Sequence, residues 1–128
     1  MPTVVIIDDS EYLARQIADF LEAHGFQVKG IGSDGFQGLQ LYKEHRPDLI
    51  TLDLTMPNKD GRECLQDILA FDPKARVLVI SALVDKAVIM KCLELGAKGF
   101  QEKPLRFRQA EFCNDFLETL RITLSEDV

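Results

Sequence analysis

The sequence has no long apolar segment. Nothing in its 128 residues approaches the roughly 18 consecutive apolar residues that a membrane-spanning helix needs, and the first apolar stretch ends at Asp8 and Asp9. A secretory signal pattern, internal repeats and low-complexity tracts are missing as well. We therefore expect no membrane anchor and one domain over residues 1–128, with its core over residues 3–124.

Close cysteine pairs and an excess of positive charge are also missing. Cys64, Cys92 and Cys113 are odd in number and widely spaced, which excludes a disulfide framework or a cysteine zinc site and indicates buried thiols in the reducing cytoplasm. The 15 Lys and Arg residues face 21 Asp and Glu residues, which leaves a net charge of −6. This charge argues against non-specific binding to nucleic acid or anionic membrane, because both need a positive surface.

The sequence does contain a regular alternation of short apolar runs and amphipathic segments. The runs predict five strands, and a helix follows each of them, the last over residues 107–124; the predicted strands are 3–7, 26–31, 49–52, 77–80 and 99–102. Ser10 and Asp34 are the predicted N-caps of the first two helices, and Gly96 ends the fourth. Five β-α units require right-handed crossovers, so we predict a doubly wound α/β fold with one parallel sheet between helices on both faces.

Polar residues follow four of the five predicted strands. Asp8 and Asp9 come after the first strand, Asp53 ends the third, Ser81 follows the fourth and Lys103 follows the fifth. Because such sheets bind ligands beyond the carboxyl ends of their strands, we expect these side chains to converge on one edge. Three neighbouring carboxylates stay ionised only when a cation joins them, and oxygen donors without His or Cys suit Mg²⁺.

The same side chains suit phosphoryl transfer. An ammonium group and a hydroxyl can hold phosphoryl oxygens, and a carboxylate oxygen is a competent nucleophile that forms an acyl phosphate. Taken singly, each residue has a structural explanation: Asp8 and Asp9 as helix-start residues, Ser81 as a strand-end cap and Lys103 as a surface lysine. Taken together, they predict Mg²⁺-assisted phosphorylation of an aspartate.

These motifs resemble those of the receiver domain of two-component response regulators, over residues 3 to about 120. The matching segments are VVIIDDS with Asp8 and Asp9, LITLDLTMP with Asp53, VLVISA with Ser81, and LGAKGFQEKP with Lys103 and Pro104. The resemblance implies a flavodoxin-like three-layer sandwich with strand order 2-1-3-4-5. It also implies a signalling protein that acts in a phosphorelay and is not an enzyme.

The resemblance implies a role for each acidic position. Asp53 would accept a phosphoryl group from a sensor histidine kinase, a phosphotransfer protein or a small donor such as acetyl phosphate. Asp9, Asp53 and the backbone carbonyl of Thr55 would ligate Mg²⁺, with Asp8 acting through water.

The remaining positions would respond to the phosphoryl group. Lys103, joined to Pro104 by a cis peptide bond, would pair with phosphoryl oxygens. Ser81 would move to hydrogen-bond one of them, and Phe100 would be the switch aromatic that becomes buried as this hydroxyl moves. Phe100 lacks the hydroxyl of a tyrosine, so its two rotamers should differ by packing alone.

Thr55 and Leu83 lie two residues beyond Asp53 and Ser81, where the family tunes loss of the phosphoryl group. Leu83 cannot hydrogen-bond an attacking water, so we predict slow self-dephosphorylation. A phosphoryl half-life of seconds in the purified protein would contradict this.

The last predicted helix has more apolar residues than a core face needs. Phe107, Phe112 and Phe116 either fill the core or form part of a partner surface on the fourth helix, fifth strand and fifth helix, which the family uses for targets and dimers. Only residues 125–128 follow this helix, so we expect a stand-alone regulator with a protein target in trans. A homodimer formed on phosphorylation stays open.

Three other functions remain to be weighed. A haloacid-dehalogenase-like phosphatase needs a second Asp two residues after its nucleophile, where this chain has Thr55. A flavin-binding module needs a Ser, Thr and Gly-rich loop after the first strand, whereas the loop here begins with two carboxylates that repel phosphate. A degenerate receiver used as a scaffold would not be labelled at Asp53 by acetyl phosphate with Mg²⁺.

Overall fold

The computed structural model describes residues 1–56, 60–82 and 85–125. In these residues strands and helices alternate in the order β1 (Thr3–Ile7), α1 (Glu11–Ala23), β2 (Gln27–Gly32), α2 (Gly35–His45), β3 (Leu49–Asp53), α3 (Gly61–Phe71), β4 (Val77–Ser81), α4 (Lys86–Leu95), β5 (Gly99–Glu102) and α5 (Ala110–Leu124). The strands form one parallel sheet in the order β2-β1-β3-β4-β5. The predicted (βα)5 architecture and strand order are confirmed.

Several predicted boundaries differ from the observed ones, and β3 and β4 each extend one residue further than predicted, to Asp53 and Ser81. Strand β2 is displaced by one residue toward the C-terminus, and the predicted start of the last helix at Phe107 is wrong by three residues, because α5 begins at Ala110. Residues before α5 form a turn in which the Gln109 N–H donates to the carbonyl of Arg106 at 2.9 Å. The apolar Phe107 extended the helical pattern of the sequence, but its ring packs against the core from this turn.

The sheet divides the apolar interior into two parts. Every residue of β3 and β4 is buried, as expected for parallel strands covered on both faces. Alternate strand residues such as Ile7 and Leu52 pack with α2, α3 and α4, in what we call the α2–α4 cluster. Their neighbours, such as Ile6 and Leu49, pack with α1 and α5 in the α1/α5 cluster. In the part of the chain that the structure describes, no helix is long and apolar enough to cross a membrane.

The aromatic residues of the last helix fill the core. Phe116 is fully buried, and Phe107 and Phe112 are partly buried in the α1/α5 cluster. Phe107 and Phe116 contact Phe20 of α1, and Phe112 contacts the other two rings. Of the alternatives above, core filling therefore describes these three rings. The predicted burial of the thiols holds for Cys64 and Cys92, and the third, Cys113, is partly exposed.

Four of the five described helices begin with a side-chain cap. Ser10, Asp34, Asp60 and Asp85 each accept a hydrogen bond from a backbone N–H in the first turn of their helix. Gln109, which precedes α5, makes no such bond. The caps fix where α1 to α4 start relative to the sheet, whereas the start of α5 depends on other contacts.

Thr51 carries a buried hydroxyl in the middle of β3. It is 1% exposed, and within the described residues its Oγ1 atom has no hydrogen-bond partner. A buried polar group without a partner costs free energy, so Thr51→Val is expected to raise the free energy of unfolding by about 1 kcal/mol. Urea unfolding would measure this change.

The matched control is Thr123→Val in α5. Thr123 is equally buried, but its hydroxyl donates to the carbonyl of Thr119 at 2.8 Å, so the same substitution there should not stabilise the protein. Equal effects at the two positions would contradict the prediction.

Candidate functional site

Three carboxylates meet at the carboxyl edge of the sheet. Asp8 and Asp9 follow β1, and Asp53 is the last residue of the neighbouring strand β3. Each offers an oxygen atom within 4.8 Å of the others. Asp8 and Asp53 are 3% and 4% exposed, whereas Asp9 is exposed to solvent. The structure therefore brings together the three predicted acidic residues in a half-open cluster.

Lys103 reaches the buried part of this cluster from the end of β5. Its Nζ atom lies 3.3 Å from Oδ2 of Asp8 and 3.5 Å from Oδ1 of Asp53. Its backbone N–H donates to the carbonyl of Ser81 at 3.0 Å, and its peptide bond to Pro104 is cis. One ammonium group faces three carboxylates, so the cluster keeps an excess of negative charge.

Burial raises the pKa of Asp53 from 3.8 to about 6, because desolvation disfavours the charged carboxylate. The nearby carboxylates of Asp8 and Asp9 raise this pKa further, while the Lys103 ammonium and a hydrogen bond from the backbone N–H of Thr55 lower it. Asp8 is held in place by the backbone N–H of Ser10, which donates to its Oδ1 atom at 2.9 Å. An added cation would therefore stabilise the charged form of Asp53.

The other predicted residues take different places around the cluster. Ser81 is fully buried at the end of β4, one strand away from Asp53. Phe100, in β5, is partly buried against the α2–α4 cluster, and Thr55 is exposed. Leu83 lies outside the described residues, so its predicted role stays a prediction.

Gly61 is a site residue whose importance the sequence did not reveal. A Cβ atom there would lie 2.2 Å from the carbonyl oxygen of Asp53 and 2.5 Å from Cα of Leu54, closer than real atoms approach. The Gly61 N–H also donates to the carbonyl of Leu54 at 2.9 Å. The sequence signal was the Asp60-Gly61 pair, which is typical of a turn. In the structure Asp60 caps α3, and Gly61 lets this helix start directly against the end of β3, where Asp53 lies.

The donor set fits a hard divalent cation. All three side chains offer carboxylate oxygens, and the buried pair retains negative charge after the contact with Lys103. Oxygen ligands of this kind suit Mg²⁺, which keeps part of its water shell. A cleft of about 370 Å³ opens beside Asp8 and Asp9 and is also lined by Glu11, Arg15, Ser33 and Gln37, so water and small anions can reach the cluster.

The fold and this cluster together define a signalling module. A family model described as the response regulator receiver domain matches residues 4–112. The chain therefore belongs to the response regulator receiver domain family. Members are signalling modules of two-component systems and not classical enzymes, and they bind Mg²⁺ at an acidic pocket that Asp8, Asp9 and Asp53 form here.

Individual relatives agree with this assignment. Protein CcdB of Bacillus subtilis is 42% identical over 104 residues, which cover 81% of this chain and 87% of that protein. The chemotaxis protein CheY of the same organism is 37% identical over 103 residues, covering 80% and 86%. A phosphatase or flavin module is not favoured by these matches.

Solved structures extend the similarity to the whole fold. CheY in the CheX-CheY-BeF3-Mg complex from Borrelia burgdorferi superimposes with a TM-score of 0.89 at 35% identity, covering 97% of this chain and 90% of that one. The response regulator domain of Thermotoga maritima CheB gives a TM-score of 0.88 at 29% identity, covering 100% and 99%. The flavodoxin-like receiver fold predicted from the sequence is thus confirmed.

Proposed function

We propose that this chain works as a receiver, residues 1–128 forming one domain, which accepts a phosphoryl group on Asp53 in a Mg²⁺-dependent reaction. The observation that carries the proposal is the convergence of one ammonium group and two further carboxylates on a buried Asp53. A buried carboxylate with a raised pKa is costly to keep unless the site uses it. The donor is a sensor histidine kinase, a phosphotransfer protein or a small acyl phosphate.

In the transfer step an Asp53 oxygen attacks phosphorus, and the bond from phosphorus to the donor nitrogen or oxygen breaks. The donor leaves with the bonding electron pair, and Asp53 becomes an acyl phosphate. Asp9, Asp53 and the Thr55 carbonyl would hold Mg²⁺, with Asp8 acting through water. The bound ion would neutralise charge on the phosphoryl oxygens. Lys103 would exchange its contact with Asp53 for a phosphoryl oxygen.

The donor would approach over an apolar groove beside Lys103. This groove has a volume of about 450 Å³ and is lined by Tyr12, Leu13, Gln16, Ala82, Pro104 and Leu105. Tyr12 is 76% exposed, which suits it to contact an incoming protein surface. We propose that the groove orients a protein donor, whereas small donors need only the cluster itself.

The response to phosphorylation would run through Ser81 and Phe100. Ser81 would hydrogen-bond the phosphoryl group, and Phe100 would pack more deeply against the α2–α4 cluster as the chain after β4 moves. Met90 and Leu93 of α4 are exposed and would belong to the surface that changes. We propose that this surface binds a protein target in trans in the cytoplasm; a phosphorylation-dependent homodimer is the other outcome to be tested.

The phosphoryl group on Asp53 should be lost slowly. Leu83 has no group to orient water, and the side chain of Thr55 is the neighbour left to do so. We expect purified phosphorylated protein to keep its label for minutes or longer in Mg²⁺ buffer. Intact-mass measurements after removal of the donor would follow the decay, and decay within seconds would contradict the role given to Leu83.

Incubation with acetyl phosphate tests the proposed function directly. With Mg²⁺ the intact mass should rise by one phosphoryl group, and peptide mapping after borohydride reduction should place it on Asp53. With EDTA in place of Mg²⁺ the mass should stay unchanged. Absence of labelling with Mg²⁺, or labelling of another residue, would favour the scaffold alternative.

A further inference from the structure

The segment between β5 and α5 carries Lys103 at its first position, and among the described residues few backbone hydrogen bonds hold it. Lys103 is tied to β4 by its N–H bond to the Ser81 carbonyl, and the next backbone hydrogen bond along the described part of this segment joins Gln109 to Arg106. The helix that follows is the one described helix without a side-chain cap. Side-chain packing must therefore hold much of this segment in place.

Phe107 supplies that packing. Its ring stacks on Phe20 of α1 with centroids 4.7 Å apart, and it contacts Phe112 and Phe116 of α5 edge-on at 5.8 and 5.7 Å. The Cys113 thiol lies 3.2 Å from the Phe107 carbonyl oxygen, to which it donates. Phe107 thus joins the segment to both helices of the α1/α5 cluster. Aromatic pairs of this geometry stabilise the fold beyond the burial of their area.

The contact with Phe20 links the two sides of the acidic cluster. Helix α1 begins at Glu11, two residues after Asp9, and Phe20 lies near its C-terminal end. The Phe107 segment begins with Lys103, whose ammonium contacts Asp8 and Asp53. Stacking of Phe107 on Phe20 therefore fixes the segment that carries the ammonium against the helix that follows the carboxylates.

We infer that Phe107 is a positioning residue that acts through Lys103, holding the ammonium where it meets the phosphoryl group during transfer. The inference rests on the proposed phosphorylation of Asp53. Displacement of a group that stabilises transition-state charge, even by about 1 Å, lowers the rate strongly. Phe107 itself touches neither the carboxylates nor the donor.

The chain offers a matched control in the same cluster. Phe112 is also partly buried and stacks on Phe116 at 5.8 Å, but it lies within α5 and not in the segment that carries Lys103. Phe107→Leu removes the ring contacts with Phe20, Phe112 and Phe116, and Phe112→Leu removes those with Phe107 and Phe116, so both variants should have a lower melting temperature. With acetyl phosphate and Mg²⁺ we expect the initial labelling rate to fall about tenfold in Phe107→Leu and less than about twofold in Phe112→Leu.

Two further measurements separate positioning from general loosening. The affinity for Mg²⁺ should not fall in Phe107→Leu, because Asp8 and Asp9 follow β1 and Asp53 ends β3, so none of the carboxylates lies on this segment. In a Lys103→Ala background, Phe107→Leu should cause no further loss of labelling rate, since the group it positions is missing. If the Lys103→Ala protein is labelled too slowly to measure, the same double-mutant comparison can use the shift in melting temperature on adding beryllofluoride and Mg²⁺.

The outcomes are distinct. Equal rates in Phe107→Leu and wild type, equal losses in the two Leu variants, or a Phe107 effect that persists without Lys103 would each overturn the inference. Failure of the wild-type protein to be labelled on Asp53 would instead overturn the proposed function. Slow labelling of Phe107→Leu alone, with unchanged Mg²⁺ affinity and no added effect in Lys103→Ala, would support positioning.

Discussion

Asp53→Asn is expected to abolish phosphorylation while stabilising the metal-free protein at about pH 7.5 by up to about 3 kcal/mol. The loss of labelling follows from removal of the nucleophilic oxygen. The gain in stability follows because Asp53 is almost fully buried and its pKa is raised from 3.8 to about 6, so folding at neutral pH confines a poorly solvated charge. Asparagine keeps the shape and removes that charge.

The same shift in pKa predicts how stability depends on pH. Because the folded-state pKa of Asp53 is raised, the wild-type protein has its full free energy of unfolding, as far as this group is concerned, below about pH 3.8. It loses part of that free energy as the pH rises through about 6. Urea unfolding in EDTA should show that the stability difference between Asp53→Asn and wild type grows over this window. Mg²⁺ should reduce the difference at about pH 7.5, since a bound cation stabilises the charged wild-type site.

Asp19→Asn is the control for this experiment. Asp19 is an exposed carboxylate of α1 that keeps its hydration on folding, so its replacement should not reproduce the growing difference. A constant difference between Asp53→Asn and wild type across the pH range would contradict the role assigned to burial of Asp53.

Gly61→Ala is expected to lower the free energy of unfolding by about 3 kcal/mol and to slow phosphorylation sharply. The added Cβ would overlap the carbonyl oxygen of Asp53 and Cα of Leu54, and both are backbone atoms that a side-chain rotation cannot move away. Helix α3 and the end of β3 must therefore separate. Thermal unfolding and acetyl phosphate labelling would measure the two effects.

Gly30→Ala provides a comparison at a glycine whose nearest neighbour is a side chain that can move. A Cβ at Gly30 would lie 3.0 Å from Cδ2 of Leu41, which is the end of a flexible side chain. We expect the free energy of unfolding of this variant to fall by less than about 1 kcal/mol, and acetyl phosphate to label it at the wild-type rate. If Gly61→Ala were no more destabilising than Gly30→Ala, the close approach of α3 to the end of β3 would not contribute to the free energy of unfolding.

Much of the fold could be predicted because it depends on local sequence. Short β-branched runs identified the strands, and Ser10 and Asp34 identified helix starts through bonds that reach only three residues along the chain. The predicted start of α5 was wrong because Phe107 also fits the apolar pattern of a helix. Its actual position depends on Phe20, which lies far away in the sequence.

The site was predicted as a set of residue types but not as a geometry. Strand order placed Asp8, Asp53 and Lys103 on one edge, yet their separation and the raised pKa of Asp53 depend on packing that no motif encodes. The Asp60-Gly61 pair indicates only a turn, because the contact that forbids a Cβ atom at Gly61 is with the backbone of Asp53 and Leu54, which the fold brings close. The unpaired hydroxyl of Thr51 is visible only when all of its neighbours are known.

The division of the interior by the sheet bears on how such a chain can diverge. Among the described residues, the α2–α4 cluster and the α1/α5 cluster have no member in common, and Phe100 and Phe107, on either side of Lys103, belong to opposite ones. A substitution in one cluster can therefore be compensated within that cluster, as volume is conserved locally. Related sequences can therefore change the face that carries Phe100, so that it binds new protein targets, while the face against which Phe107 packs stays the same.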